Sequence, residues 1–307
     1  MNTYLKYQPA ALQFLAFLML ASGFFILDYA VTTFFFNDIN AVMLNPDIAI
    51  TPAIIEKSKL AQLTASTILF IIPSLLFGYY SSQQPLNYIG FKKNISPLVL
   101  LSVVALLFAV QPFVGWLGQV NESINFGSMQ KLLQEKEAIY NRILKSFLQM
   151  NTPGDLFINL FIMALLPAIG EELFFRGALQ TVLLRISDKP WLAILVSSTV
   201  FALLHLTVFK VIPIFTLGLL LGTVYYITRN LWYTIVIHFL NNGFAVLAVY
   251  YSNSNSFMKK LADDNLDIPF YSAFLSLAAV VFIIYFIRNK SIAANEESTI
   301  EDQNLTT

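Results

Sequence analysis

The sequence contains no cysteine, only two histidines in 307 residues, and a charged share of 12%. Without cysteine there are no disulfides and no thiolate chemistry, whatever the compartment. The formal net charge is zero and no basic block stands out, so nothing in the chain points to a nucleic-acid partner. What is abundant is apolar: 57% hydrophobic residues and a mean hydropathy of +0.68, where soluble domains carry about 45–50% apolar and about 25% charged residues. The solvent this composition fits is lipid.

Uncharged windows long enough for a helix to cross roughly 30 Å of hydrocarbon recur along the chain. They place eight spans near Ala10–Phe36, Leu60–Tyr80, Pro97–Leu117, Leu156–Leu184, Trp191–Leu206, Val211–Ile227, Leu231–Tyr251 and Ile268–Ile287. The reading is an all-α, polytopic transmembrane bundle, a multi-pass protein of the cell membrane. The first apolar stretch is too long for a signal-peptide h-region and reads as a retained signal anchor. Three parts follow: residues 1–155 with spans one to three, residues 156–251 with spans four to seven, and residues 252–307 with the last span and a polar, acidic, disordered tail from Ala293. Between spans three and four, Leu133, Tyr140, Ile143, Leu144 and Phe147 recur at helical spacing, which predicts an amphipathic helix over Gln130–Met150 at the membrane surface. It serves either as a cover for the bundle or as a lid or substrate guide. Asp155 is placed to cap the fourth span. Lys6, Lys92, Lys93, Arg185, Lys189, Arg229, Arg288 and Lys290 fall on one side of the bundle, in short loops, which puts both termini in the cytoplasm.

Ionisable groups inside a span are costly, about 2.5–3.5 kcal/mol each on insertion scales, so each one asks for a reason. The fourth span holds Glu171, Glu172 and Arg176 within six residues. Glu172 and Arg176 stand four apart, share a helix face and pair. Glu171 lies about 100° around the helix and has no partner on it. Pro167 and Gly170, one turn earlier, let this helix bend and approach a neighbour, and no segment of similar composition matches them in the other half. Both histidines also fall in spans: His205 in the fifth and His238 in the seventh, the latter sharing a face with Asn242 four residues on. An imidazole beside a carboxylate holds and deprotonates water at neutral pH. Two neutral donors on one face, His238 and Asn242, suit the oxyanion of a tetrahedral intermediate. Asn241 and Asn242 also suit helix-to-helix hydrogen bonding, one for each job. Upright helices would set His238 about 9 Å below its interface and Glu171 and His205 about 22 Å below theirs, so tilt or a recessed seventh span must bring them together.

Glu171-Glu172-x-x-x-Arg176, Phe201-x-x-x-His205 and His238-x-x-x-Asn242, in that order on three spans, resemble the three motifs of the CPBP intramembrane proteases. That family includes type II CAAX prenyl endopeptidases and Abi-like, bacteriocin-processing relatives. The resemblance covers roughly Leu156 to Phe244. It implies a peptidase in which Glu171 and His205 activate water, Glu172 and Arg176 order the site, and His238 and Asn242 stabilise the oxyanion, acting on a membrane-associated or CAAX-like peptide. The cofactor expected is none, with one zinc held by Glu171, His205 and His238 as the alternative. No His-Glu-x-x-His helix is present to favour the metal. Two other functions use the same buried polar residues: a proton-coupled transporter and a non-catalytic membrane scaffold.

Overall fold

The computed structural model describes residues 4–45, 48–262 and 266–304, with side chains of the last helix described as far as Ser291. Eleven helices of seven or more residues follow in order: α1 (Ala10–Phe35), α2 (Asn37–Leu44), α3 (Pro52–Ser81), α4 (Pro97–Glu122), α5 (Gln130–Phe147), α6 (Pro153–Ser187), α7 (Pro190–Leu204), α8 (Val211–Thr228), α9 (Leu231–Tyr251), α10 (Ser256–Ala262) and α11 (Phe270–Asn304). The described residues form no strand. The helix starts are written locally. Thr51, Ser96 and Thr152 each accept a backbone N–H of the first turn and are each followed by proline, which has no N–H to leave unpaired there. Thr152, not Asp155, is therefore the cap of α6. Asp155 closes a reciprocal capping box by accepting the Thr152 N–H at 2.9 Å.

Among the described residues, seven helices (α1, α3, α4, α6, α8, α9 and the Phe270–Ser291 part of α11) are long and apolar enough to cross a membrane. The fifth expected span, Trp191–Leu206, corresponds to a helix too short to count among these seven. α7 has 15 residues, about 22 Å at 1.5 Å per residue. It still runs between the two ends of the bundle. Near its start, Arg185 stacks over Tyr88 and bonds Gln13 at the beginning of α1. Beyond its end, the buried Asn121 of α4 donates to the Val208 carbonyl at 2.9 Å and accepts the Ile212 N–H at 2.8 Å. His205 consequently caps α7 instead of lying within a span.

Apolar burial forms two main clusters. One joins α4, α8, α9 and α11 through residues such as Leu106, Leu107, Val224, Ile237 and Ile287. The other joins α1, α3, α6 and α7 through Phe17, Phe77, Phe174, Phe175 and Phe201. Outward faces stay apolar too: Phe274, Val281 and Phe282 of α11 are all at least 60% exposed, the pattern of a helix facing lipid.

Two helices carry a wide, π-type turn immediately before a proline: Ser66–Ile71 before Pro73 in α3, and Leu160–Leu165 before Pro167 in α6. Proline cannot donate to the carbonyl four residues back and its ring crowds that carbonyl, which widening relieves. The two bends fall in the same half of the chain, in the second and fourth expected spans, so α3 is not the other-half match that the sequence lacks. The α3 turn carries no ionisable residue.

α5 lies against the bundle. Ile143 and Phe147 line a small apolar space with Val42 and Ile54, Arg142 donates to the Ile48 carbonyl, and Asn159 of α6 donates to the Phe147 carbonyl at 3.0 Å. α11 runs on to Asn304. The tail expected to be disordered from Ala293 is thus helical in its backbone as far as Asn304, while residues 305–307 lie outside the described residues.

Candidate active site

α6 presses closely on α3. A Cβ on Gly170 would sit 3.3 Å from both the Ser66 carbonyl and the Phe70 side chain, tighter than most real contacts. That approach leaves the next residues, Glu171 and Glu172, to face away from α3 toward α9, with which this part of α6 packs.

Glu172 and Arg176 are 0% and 1% exposed. Arg176 donates through Nη1 to Glu172 Oε1 at 3.0 Å and through Nη2 to the Gly218 carbonyl of α8 at 3.1 Å. Its guanidinium lies 4.7 Å from the centre of the Phe201 ring. The cation is thus held on three sides by a carboxylate, a carbonyl and a π-face, as burial of a charge demands. Gly218 suits that place because a Cβ there would meet Ser198 Cβ at 3.1 Å.

The same Glu172 Oε1 lies 2.9 Å from His238 Nδ1. A carboxylate paired with Arg176 is an acceptor only, so His238 must donate Nδ1–H to it. This sets the tautomer. The neutral ring then presents a lone pair at Nε2, which faces Glu171 Oε2 at 3.8 Å, beyond hydrogen-bond reach. Glu171 Oε2 is buried and has no hydrogen-bond partner in the protein. Glu171 therefore differs from Glu172 as its helical position predicts: its side chain is 14% exposed against 0%, and its Oε2 faces the His238 ring instead of an arginine. The gap between the depths of His238 and Glu171 closes because α9 begins in a recess. Asn230 and Leu231 are buried, Leu231 N–H donates to the Gly90 carbonyl at 2.8 Å, and Asn230 donates to the Asn94 carbonyl at 3.1 Å.

His205 Nδ1 lies 2.8 Å from the Phe201 carbonyl, one turn back. A carbonyl can only accept, so Nδ1 carries the proton and Nε2 of neutral His205 is a free base. The Phe201 ring touches both imidazoles, with centroids 4.7 Å from His205 and 6.0 Å from His238. It is the wall on which the two histidines meet.

The two asparagines make different contacts. Asn241 accepts from Gln111 of α4 at 3.3 Å and donates to Asn242 Oδ1 at 3.3 Å. The first contact ties helices; the second turns the Asn242 amide so that its Nδ2 is the free end. The pairing of two neutral oxyanion donors needs amending, because His238 with Nδ1–H on Glu172 donates from Nε2 only as imidazolium.

Several contributors were not singled out from sequence. The Gly218 carbonyl leaves no side-chain signal at all. Gln111 is an uncharged polar residue in an apolar span, a signal that was available. From α5, Glu137 accepts the Thr207 hydroxyl at 3.0 Å, just after His205. Tyr140, one turn along α5, senses Glu171 electrostatically: partial burial and the Glu137 carboxylate push its phenol above the usual range, Lys210 opposes this, and Glu171 adds to it. The amphipathic helix thus borders the polar cluster. Among the described residues, no group of three His, Asp or Glu side chains is placed to hold a metal ion. Glu171, His205 and His238 do not form the three-ligand set a zinc would require.

Residues 153–244 match the family model described as type II CAAX prenyl endopeptidase, Rce1-like. The match spans under a third of the chain and includes all six candidate residues. No curated protein and no solved structure matches the chain.

Proposed function

We propose, from the match of residues 153–244 to the type II CAAX prenyl endopeptidase (Rce1-like) family model, that the protein is an intramembrane endopeptidase that hydrolyses a peptide bond of a membrane-associated or CAAX-like substrate. The observation that carries the reading is the opposition of Glu171 and His238: a buried carboxylate oxygen without a protein donor, 3.8 Å from an imidazole nitrogen whose other nitrogen is anchored.

In this reading Glu171 and His205 Nε2 bind the attacking water and take its proton as oxygen bonds to the scissile carbonyl carbon. The carbonyl oxygen becomes an oxyanion facing Asn242 Nδ2 and His238 Nε2–H. Glu172 stabilises the imidazolium form of His238 that this donation requires, while Arg176 keeps Glu172 ionised and in place. Collapse of the intermediate breaks the C–N bond, and the proton taken from water passes to the leaving amine. Preorganised donors of this kind contribute about 10²–10³ in rate each. Both termini are cytoplasmic by the loop charges, so α5 and the turn after His205 lie on the opposite membrane face.

The test compares membrane proteomes of cells carrying the wild-type chain and Glu171→Gln at matched abundance. Peptide ends generated only by the wild type support the reading and name the substrate. Identical ends in both would overturn it.

A further inference from the structure

A cavity of about 660 Å³ opens at the end of the bundle where α3 finishes and α4 and α9 begin, within the size range of small-molecule sites. One side is polar. Lys92 Nζ donates to Asn87 Oδ1 at 2.6 Å, and Asn87 donates in turn to Gln84 at 3.2 Å, which holds the Lys92 ammonium over the cavity. Lys93 adjoins it and is exposed. The other side is aromatic: Phe91 and Trp232 pack with ring centroids 5.0 Å apart, and Trp232 remains 40% exposed. Among the described residues, no carboxylate lines the cavity.

We propose that this cavity binds the phosphate headgroup of an anionic phospholipid. The charge is complementary, with two ammonium groups and no acid facing them. The depth is right as well, because the cavity sits at span ends, where phosphates lie, and a tryptophan occupies its wall as it does in interfacial belts. Basic pockets between spans are known sites for acidic lipid headgroups. The aromatic wall and Leu86, 55% exposed, offer the apolar contact an acyl chain needs and a free phosphate does not. The site is independent of the proteolytic reading, yet it touches it: Trp232 lies on α9 less than two turns before His238, so a lipid seated here braces the recessed start of the helix that carries the imidazole.

The experiment measures thermal unfolding of the purified full chain in neutral detergent with added phosphatidylglycerol, phosphatidylcholine or inorganic phosphate, and counts bound lipid by native mass spectrometry. The expected result is a rise of several degrees and about one retained phosphatidylglycerol for the wild type, little change with phosphatidylcholine or phosphate, and loss of both effects in Lys92→Gln/Lys93→Gln. Lys93→Glu alone, at an exposed position that does not threaten folding, reduces the retained lipid. An equal shift with phosphatidylcholine, full stabilisation by phosphate alone, or undiminished phosphatidylglycerol retention in both variants would overturn the proposal.

Discussion

Glu172 and His238, 66 residues apart in sequence, meet through a 2.9 Å contact from Nδ1 to Oε1. That contact decides which imidazole nitrogen is available to chemistry, and its own orientation depends on Arg176 occupying the same carboxylate oxygen. A buried row of polar contacts results, from Arg176 through Glu172 and His238 toward Glu171.

Removing one member of this row strands another. Arg176→Ala is expected to lower stability by about 3–5 kcal/mol, the usual consequence of leaving a buried partner unpaired. Thermal melts in detergent check it; a melting temperature equal to wild type would reject the ion pair. Arg176→Lys should recover little, since a single ammonium cannot serve both Glu172 and the Gly218 carbonyl in the planar fork the two contacts define.

Glu171→Gln is expected to do the reverse, leaving the melt near wild type while lowering peptide cleavage by about 10²–10⁴. The carboxylate oxygen has no protein hydrogen bond to lose. Near wild-type turnover by the folded variant would remove Glu171 from the role of base.

For metal, the expectation is that a chelator leaves cleavage intact and that purified protein carries no stoichiometric zinc. The grounds are the uncommitted Asn242 amide, a neutral donor for the oxyanion, and the absence of a three-ligand group among the described residues. Elemental analysis finding about one zinc per chain, lost together with activity in His205→Ala, would reverse this.

Sidedness has a direct test because the chain has no cysteine of its own. In intact cells, a membrane-impermeant thiol reagent should reach Lys136→Cys on α5 and spare Lys93→Cys until the membrane is opened. The opposite pattern would place the termini outside and turn the face bearing α5 toward the cytoplasm.

Sequence by itself determined the class of fold and the residues worth watching. Helix identity in lipid follows from apolar length, because a chain without water must satisfy its backbone internally, and the starts at Thr51, Ser96 and Thr152 follow from local capping chemistry. The face shared by Glu172 and Arg176, and the exclusion of Glu171 from it, were legible from α-helical spacing, and the pair survives the wide π-type turn over Leu173–Gln180 that carries Arg176. Only the tertiary structure decided the rest. The widening of α3 and α6 before Pro73 and Pro167 relieves a local clash, but which face each bend presents depends on the neighbouring helix. The recess at Leu231 comes from a loop 141 residues earlier, through the Gly90 carbonyl. The tautomers of His238 and His205 depend on acceptors supplied by Glu172 and the Phe201 carbonyl, and the Gly218 carbonyl that steadies Arg176 belongs to a backbone present at every residue. Such partners are chosen by packing across distant segments, and no local pattern of residue types records which carbonyl or ring will be brought within 3 or 5 Å.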